Sequence, residues 1–205
     1  MEGTQGREPL AMSREHVLHK VRTSLGRSSG QPPSEAPPVR LRLPEMDLES
    51  RITRFTEVLE ALAGKVYRAS SHASACAYVA ALVEGKTAVA SNAPLLRDCG
   101  ITLLAGVRTG FTAERELRNL CATADFGITS ADYALADTGT LVMLSSPKEA
   151  RMISLVPPVH IAVISKDQFL TGLDELFTLL PVPNELTSSM VLVTGPSRTA
   201  DIELT

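Results

Sequence analysis

The sequence contains no tryptophan, and aromatic residues make up only 4% of its 205 residues. A core must therefore be built mainly from leucine, valine, isoleucine and alanine, which agrees with the 44% hydrophobic content expected of a globular α/β domain. The shortage of aromatic rings disfavours a nucleic-acid surface that stacks bases, because such surfaces need exposed rings.

Cysteine is also scarce. Cys76, Cys99 and Cys121 are widely separated and form no C-x-x-C pair. This chain therefore has too few ligands for an iron–sulfur cluster or a zinc ribbon. We expect each cysteine to be a small buried apolar side chain and the chain to hold no cofactor of its own.

The sequence also lacks a large excess of positive or negative charge, and it lacks long apolar runs. The 20 Lys and Arg residues and 23 Asp and Glu residues give a net charge of −3. Such a balance gives no electrostatic support to binding of nucleic acid or a membrane surface. The apolar runs are too short to span a bilayer, and the N-terminus lacks the apolar core of a signal peptide. The sequence predicts a cytoplasmic protein that does not insert into a membrane.

Four well-known functional motifs do not occur. These are G-x-G-x-x-G, G-x-x-x-x-G-K-[ST], H-E-x-x-H and G-x-S-x-G. Nicotinamide dehydrogenase, P-loop nucleotidase, zincin and α/β-hydrolase functions are thereby disfavoured. His16 and His19 have metal-compatible spacing but no nearby third ligand, so we predict no metal site.

The first 44 residues have the pattern of an arm. Apolar residues at helical spacing predict an amphipathic helix over residues 10–25 that ends at Gly26. Residues 26–44 are rich in Pro, Gly and Ser, which is typical of an extended linker. The arm is a candidate to dock on another copy of the chain or on another protein, and residues 45–205 are predicted to form one domain.

Within that domain, helices and strands alternate, which predicts right-handed crossovers and a largely parallel sheet covered on both faces. Strand-like runs at 126–130 and 140–145 are too close for a crossover helix between them, so we expect a mixed α/β sheet. The predicted helices are 47–64, 71–84, 113–121 and 166–180. The predicted strands are 65–70, 86–90, 101–105, 126–130, 140–145, 159–165 and 188–195.

A polar turn stands directly before the predicted strand at 140–145. Asp137, Thr138 and Thr140 supply short polar side chains, and Gly139 permits a positive φ or a close backbone approach. Turn chemistry alone explains this pattern. Proximity to a second polar turn would make it a ligand-binding site.

The second polar turn lies in "VLVTGPSRTADI", where a buried strand ends at a glycine. The proline suits the first turn of a helix, whose free N–H groups favour an anion. Arg198 would supply the positive charge and Asp201 an acceptor for a hydroxyl or ammonium group. The alternative is an ordinary strand-to-helix turn that binds nothing. The candidate ligand-binding residues are Gly195, Ser197, Arg198, Thr199 and Asp201.

Three further side chains follow the first turn. Glu149 and Arg151 fall in a predicted short helix, and His160 begins a buried strand. A carboxylate, a guanidinium group and an imidazole can bind an acid and move a proton. A structural ion pair and a hydrogen-bonded core histidine explain them at least as well.

These motifs, taken in order, resemble the lactate utilization protein C family, the single-domain members of the LUD group. The shared pattern is Gly-x-Thr-x-Ala-Asp, Ala-x-Thr-Gly-Thr, Glu-x-Arg, Ser-Leu-x-Pro, a His before an apolar strand, and Gly-Pro-Ser-x-Thr-Ala-Asp-Ile-Glu. All of these occur between Gly127 and Glu203, and the helix ending in "SLGR" and the proline-rich linker are also similar. Family members usually continue with a Gly-x-His-Gly-Pro turn and a last strand, whereas this sequence ends at Thr205.

The resemblance implies a Rossmann-like three-layer α/β sandwich, similar to the sugar-phosphate isomerase and CoA-transferase group, behind the N-terminal helical arm. It also implies a subunit that supports oxidation of L-lactate to pyruvate beside iron–sulfur lactate utilization proteins. Those partners would carry the iron–sulfur clusters, and this chain would have no redox centre. A general base is not assigned.

Three functions are consistent with the residues. In the first, both polar turns bind a small organic acid or a phosphate-containing ligand, with Glu149, Arg151 and Asp201 orienting it. In the second, the chain is a non-catalytic assembly or regulatory protein whose arm recruits the redox subunits. The third, suggested only by analogy of fold, is a free-standing enzyme that acts on a phosphorylated, CoA-type or folate-like ligand.

Overall fold

The computed structural model describes residues 14–28, 30–32, 46–111, 113–146, 150–180 and 189–196. It divides into two units, residues 1–40 and 41–205. In the first unit, helix α1 spans Arg14–Ser24 and confirms the predicted N-terminal helix. Gly26 has a φ of +64° and lets Arg27 N–H donate to Arg22 O at 2.8 Å, which ends the helix.

The second unit contains helices and strands in alternation, and this confirms the predicted α/β class. Its helices are α2 Leu48–Ala61, α3 His72–Val83, α4 Pro94–Asp98, α5 Glu114–Thr123, α6 Met152–Leu155 and α7 Leu173–Leu179. Its strands are β1 Ala88–Ala90, β2 Val107–Arg108, β3 Phe126–Ser130, β4 Tyr133–Leu135, β5 Thr140–Leu144, β6 Val159–Val163, β7 Phe169–Leu170 and β8 Met190–Val193.

Four of these strands form a parallel sheet in the order β2-β1-β3-β6. Successive side chains of β1 point to opposite faces of the sheet. Ala88 and Ala90 pack with α3 and α4, whereas Val89 packs with α5 and α6. Helices therefore cover both faces, as the alternating pattern predicted.

The other four strands form a mixed sheet in the order β7-β4-β5-β8. β4 pairs with β7 in parallel and with β5 in antiparallel, and β5 pairs with β8 in antiparallel. α2 covers this sheet through Ile52 and Phe55, which pack with Ala134 and Phe169. Asp47 caps α2 by accepting a hydrogen bond from Ser50 N–H at 3.0 Å.

Three predicted elements were wrong. Residues 65–70 form no strand, and residues 101–105 begin with the 3-10 turn Ile101–Leu103, because Gly100 enters it with a φ of +79°. The predicted helix 166–180 is divided into the 3-10 turn Lys166–Gln168, strand β7 and helix α7. Pairing of β7 with β4 buries Phe169 against Phe55, with ring centroids 5.2 Å apart, and this long-range contact overrides local helix propensity.

Helix α6 lies very close to the parallel sheet at Gly127. A Cβ atom at this position would overlap the backbone oxygen of Ile153, and it would stand 3.1 Å from Pro157 Cγ. Gly127 pairs with His160 of β6, so α6 lies directly over the β3–β6 ladder. The absence of a side chain at Gly127 is what lets α6 pack there.

Candidate functional site

The two polar turns meet at one end of the mixed sheet. Antiparallel pairing of β5 and β8 places Leu141 opposite Val193, so Thr140 and Thr194 are neighbours. Their Oγ1 atoms lie 2.7 Å apart, which is a hydrogen-bond distance. The tertiary fold thus brings together the turns that the sequence separates by more than fifty residues.

The hydroxyl groups at this end form a directed chain. Thr138 Oγ1 donates to Asp137 Oδ1 at 3.2 Å, and Thr140 Oγ1 donates to Thr138 Oγ1 at 2.8 Å. Each hydroxyl has one proton to donate, so Thr194 must donate to Thr140. We call the four residues Asp137, Thr138, Thr140 and Thr194 the hydroxyl edge.

Thr194 was not among the residues predicted for the site. The sequence signal that could have found it is its place at the end of an apolar strand, one residue before a turn glycine. Its partner, however, depends on the pairing of β5 with β8, which is not visible in the local sequence. Strand pairing is a long-range property, so the local pattern could not identify this contact.

Two glycines let the hydroxyl edge lie against the last turn of α2. Gly139 has a φ of +63°, and a Cβ atom there would stand 2.9 Å from Leu59 N. Gly195 has a φ of +79°, and a Cβ atom there would stand 3.0 Å from Leu62 Cβ. The predicted need for a positive φ or a close backbone approach at Gly139 is therefore confirmed on both counts.

A third strand end adjoins the hydroxyl edge. Ala136 N–H donates to Leu170 O at 2.9 Å, and Asp137 N–H donates to Thr171 O at 3.1 Å. The carboxyl ends of β4 and β7 thus hold the turn in place from one side, and β8 holds it from the other. Backbone hydrogen bonds therefore fix the position of the turn.

The remaining candidate residues are placed as follows. Arg151 stands just before α6, which packs on β3 and β6 of the parallel sheet, and its side chain is exposed. It makes no hydrogen bond to the hydroxyl edge in the part of the chain that the structure describes. Ligand binding by any of the candidates stays a prediction. The candidate residues that lie outside the described part of the chain are Glu149, Ser197, Arg198, Thr199 and Asp201.

His160 is a core histidine, one of the two explanations that the sequence allowed. Its Nε2 atom lies 2.8 Å from Oγ1 of Thr129, a side chain with no exposed surface. Burial lowers the pKa of His160 from 6.5 to about 4, because a desolvated imidazolium is unfavourable. The ring is therefore neutral near pH 7 and packs as part of the sheet.

This histidine predicts a loss of stability in acid. The unfolded chain binds the proton at a higher pH than the folded chain does, so the free energy of unfolding falls as the pH drops from 6.5 to about 4. We expect the free energy of unfolding to fall by about 2 kcal/mol. This is less than the full pKa shift implies, because the ring is partly exposed and solvent screens part of the effect. Urea unfolding of wild type and His160→Gln across this range measures it. The Gln variant should lack that part of the slope, whereas His72→Gln, at an exposed position, should keep it.

The described residues include no group of three or more His, Cys, Asp or Glu side chains arranged to hold a metal ion. Among the described helices, none combines the length and apolar character needed to cross a membrane.

The LUD domain family model matches residues 52–205. The chain belongs to the LUD domain family. Lactate utilization protein C of Halalkalibacterium halodurans is 39% identical over 85 residues, which cover 40% of this chain and 37% of that protein. Lactate utilization protein C of Macrococcus caseolyticus is 30% identical over 122 residues, which cover 57% of this chain and 53% of that protein. These alignments span about half or less of the relatives' own length.

A solved structure shares the fold of this LUD domain. It is a DUF162 family protein from Deinococcus radiodurans, with a TM-score of 0.57 and 17% sequence identity. The match covers 73% of this chain and 90% of the other. The expected α/β sandwich is thereby confirmed. The family match and the two relatives confirm the resemblance to lactate utilization protein C.

Proposed function

We propose that this LUD protein is a lactate utilization protein C-like subunit that supports oxidation of L-lactate to pyruvate together with iron–sulfur partner proteins. The family and the names of the relatives support a role in lactate utilization. The proposal has two further parts, namely that the chain binds a small organic anion and that it acts beside iron–sulfur partner proteins.

One observation carries the ligand-binding part: the 2.7 Å contact between Thr140 and Thr194, which joins the two polar turns into the hydroxyl edge. Hydroxyl groups and turn amides suit the carboxylate of a small acid. The described residues of the edge nevertheless supply one carboxylate, on Asp137, and no cation. The edge also adjoins the C-terminal turn of α2, where the helix dipole is negative. Binding of an anion therefore depends on Arg198, which follows the second turn in sequence.

Two of the three cysteines are buried, as the sequence predicts, whereas Cys76 is only part-buried. Cys99 and Cys121 are buried, and burial raises the pKa of both thiols. A thiol with a raised pKa carries less thiolate at neutral pH and is a weaker nucleophile. We propose that the electrons of lactate oxidation pass through clusters held by the partner proteins.

Calorimetric titration tests the anion site. L-Lactate, pyruvate, phosphate and CoA are titrated into wild type, Arg198→Ala and the control Arg97→Ala, which removes an exposed arginine. We expect saturable binding of one acid that weakens about tenfold or more in Arg198→Ala, the size of a lost charged hydrogen bond. Arg97→Ala should bind as wild type does. Equal affinity in all three proteins would refute the site at the hydroxyl edge.

The second candidate function, an assembly protein, is favoured by an exposed apolar face that α1 forms together with the residue directly after it. Val17, Val21 and Leu25 recur every four residues and are 43%, 49% and 67% exposed. Residues at that spacing share one helix face, and such a face suits a partner groove.

Co-purification separates the two functions. The iron–sulfur proteins are co-expressed with wild type, with a chain lacking residues 1–26, and with the double variant Thr138→Ala/Arg198→Ala. If the iron–sulfur proteins fail to co-purify only with the chain that lacks residues 1–26, the result supports assembly through the arm. If the shortened chain co-purifies with the iron–sulfur proteins at the wild-type level, assembly through the arm is refuted.

A further inference from the structure

The three cysteines are divided between the two faces of the parallel sheet. Cys76 lies in α3 and Cys99 directly follows α4, and both side chains pack in the core cluster on one face of the sheet. Cys121 packs on the opposite face, in the cluster that contains Val89 and Ile153. The fold thus places two thiols on one side of the sheet and separates the third from them.

Gly100 shows how near the Cys76 thiol comes to Cys99. A Cβ atom at Gly100 would stand 3.7 Å from Cys76 Sγ, which is ordinary van der Waals contact. Cys99 directly precedes Gly100, and consecutive Cα atoms are about 3.8 Å apart. The Cys76 sulfur atom therefore lies beside the residue that adjoins Cys99. A disulfide joins Cα atoms about 4.4 to 6.8 Å apart, which is a span of this order.

The Cys76 and Cys99 thiols also interact electrostatically. Burial raises the pKa of Cys99, and negative charges on Cys76 and Asp98 raise it further, because they disfavour a second anion nearby. Burial is the cause that raises the pKa of Cys121. A second thiol thus affects the ionisation of Cys99 and not that of Cys121, in agreement with their places on opposite faces of the sheet.

We propose that Cys76 and Cys99 form an oxidant-responsive pair that closes to a disulfide when a hydroperoxide reaches Cys76. The half-buried Cys76 thiol is open to a small oxidant, whereas Cys99 is buried. The raised pKa of Cys99 also makes it the weaker nucleophile, which assigns the first step to Cys76. In the second step, the closeness of the two sulfur atoms offsets that weakness.

The two steps balance with hydrogen peroxide as the oxidant. The Cys76 sulfur attacks one peroxide oxygen, the O–O bond breaks, and a sulfenic acid and one water form. The Cys99 sulfur then attacks the Cys76 sulfur, an S–S bond forms, and the sulfenic oxygen leaves as a second water with the thiol proton. Two thiols are oxidised, and one peroxide is reduced to two waters.

The disulfide would enclose the centre of the parallel sheet. The loop that it closes contains β1, which pairs with both β2 and β3. A cross-link of this kind restricts the unfolded chain and ties α3 to the end of α4. The inference does not rest on the proposed function, because both thiols pack on the parallel sheet and the hydroxyl edge belongs to the mixed sheet.

The test compares the folded chain with the same chain unfolded in urea. Cys99 is 23 residues after Cys76 and 22 residues before Cys121, so loop closure in the unfolded chain favours the two possible bridges almost equally. Both samples are treated with hydrogen peroxide, the remaining thiols are alkylated, and the bridged peptides are quantified by mass spectrometry. Treatment with dithiothreitol then checks that the bridge is reversible.

Three variants separate the steps, and circular dichroism checks that each is folded. In Cys99→Ala, the sulfenic acid of Cys76 has no thiol to react with and should be trapped by dimedone. In Cys76→Ala, the buried Cys99 should remain reduced. Cys121→Ala is the matched control and should form the bridge as the wild type does.

In the folded wild type we expect the Cys76–Cys99 bridge to exceed the Cys99–Cys121 bridge by about tenfold or more, and in the unfolded chain we expect similar amounts. Equal ratios in the two states overturn the pair. A folded wild type that forms no bridge within one chain also overturns it, whether the thiols stay reduced, stop at higher oxidation states or link two copies. Dimedone labelling of Cys99 in Cys76→Ala overturns the assigned order of the steps.

Discussion

Gly127→Ala is expected to lower the free energy of unfolding by about 3 kcal/mol or more. The new Cβ atom would overlap the backbone oxygen of Ile153, so a backbone atom and not a flexible side chain obstructs it. Either β3 or α6 has to move, and that movement would disturb the packing of Ile153 with Leu117 and Cys121. Urea or thermal unfolding followed by circular dichroism measures the change, expected as a fall in Tm of about 6 to 12 °C.

Gly85→Ala is the matched control for this prediction. Gly85 has a φ of +68°, but a Cβ atom there would have no neighbour within 4 Å. Only the cost of the left-handed backbone remains, about 1 kcal/mol. If Gly127→Ala were no more destabilising than Gly85→Ala, the close packing of α6 on β3 would be wrong.

Arg51→Ala is expected to lower the free energy of unfolding by about 2 to 3 kcal/mol. The Arg51 side chain, 16% exposed, donates to Met46 O at 2.8 Å, to Phe169 O at 2.9 Å and to Glu175 Oε1 at 3.1 Å. The other oxygen of Glu175 accepts from Thr171 N–H at 2.7 Å. Removal of the guanidinium group leaves a part-buried carboxylate and a strand carbonyl without this donor.

Arg54→Ala, on the same helix, controls for loss of an arginine from α2. Arg54 is 54% exposed and lies 4.0 Å from Glu57, so its removal should change the free energy of unfolding by less than about 0.5 kcal/mol. Urea unfolding of the two variants gives the comparison. Similar stabilities would mean that the bonds of Arg51 do not tie α2 to the mixed sheet.

Local signals in the sequence determined several elements correctly. α3 begins where Ser71 and Ser74 form a capping box, and α1 ends at Gly26 in the left-handed region. The predicted strand 126–130 agrees with β3 because a short apolar run bounded by polar residues is a strong strand signal. Both polar turns were likewise recognisable from their short polar side chains and glycines.

Elements that depend on long-range pairing could not be read in this way. β7 has two residues, and it is a strand only because it pairs with β4. Residues 101–105 have strand-like composition, but their entry through Gly100 in the left-handed region sets up a 3-10 turn. Local propensity gave the wrong answer at both places because tertiary contacts and backbone geometry outweigh it.

The candidate site likewise has some properties that depend on local sequence and others that depend on long-range strand pairing. The sequence by itself determined that the chain has an α/β domain with LUD motifs, two polar turns and no cysteine cluster, because these properties depend on residue type and local spacing. Only the tertiary structure decided that Thr194 joins the hydroxyl edge and that His160 is largely buried and neutral. Those outcomes depend on which strands pair and on the desolvation that pairing imposes, and neither is encoded in any short stretch of the chain.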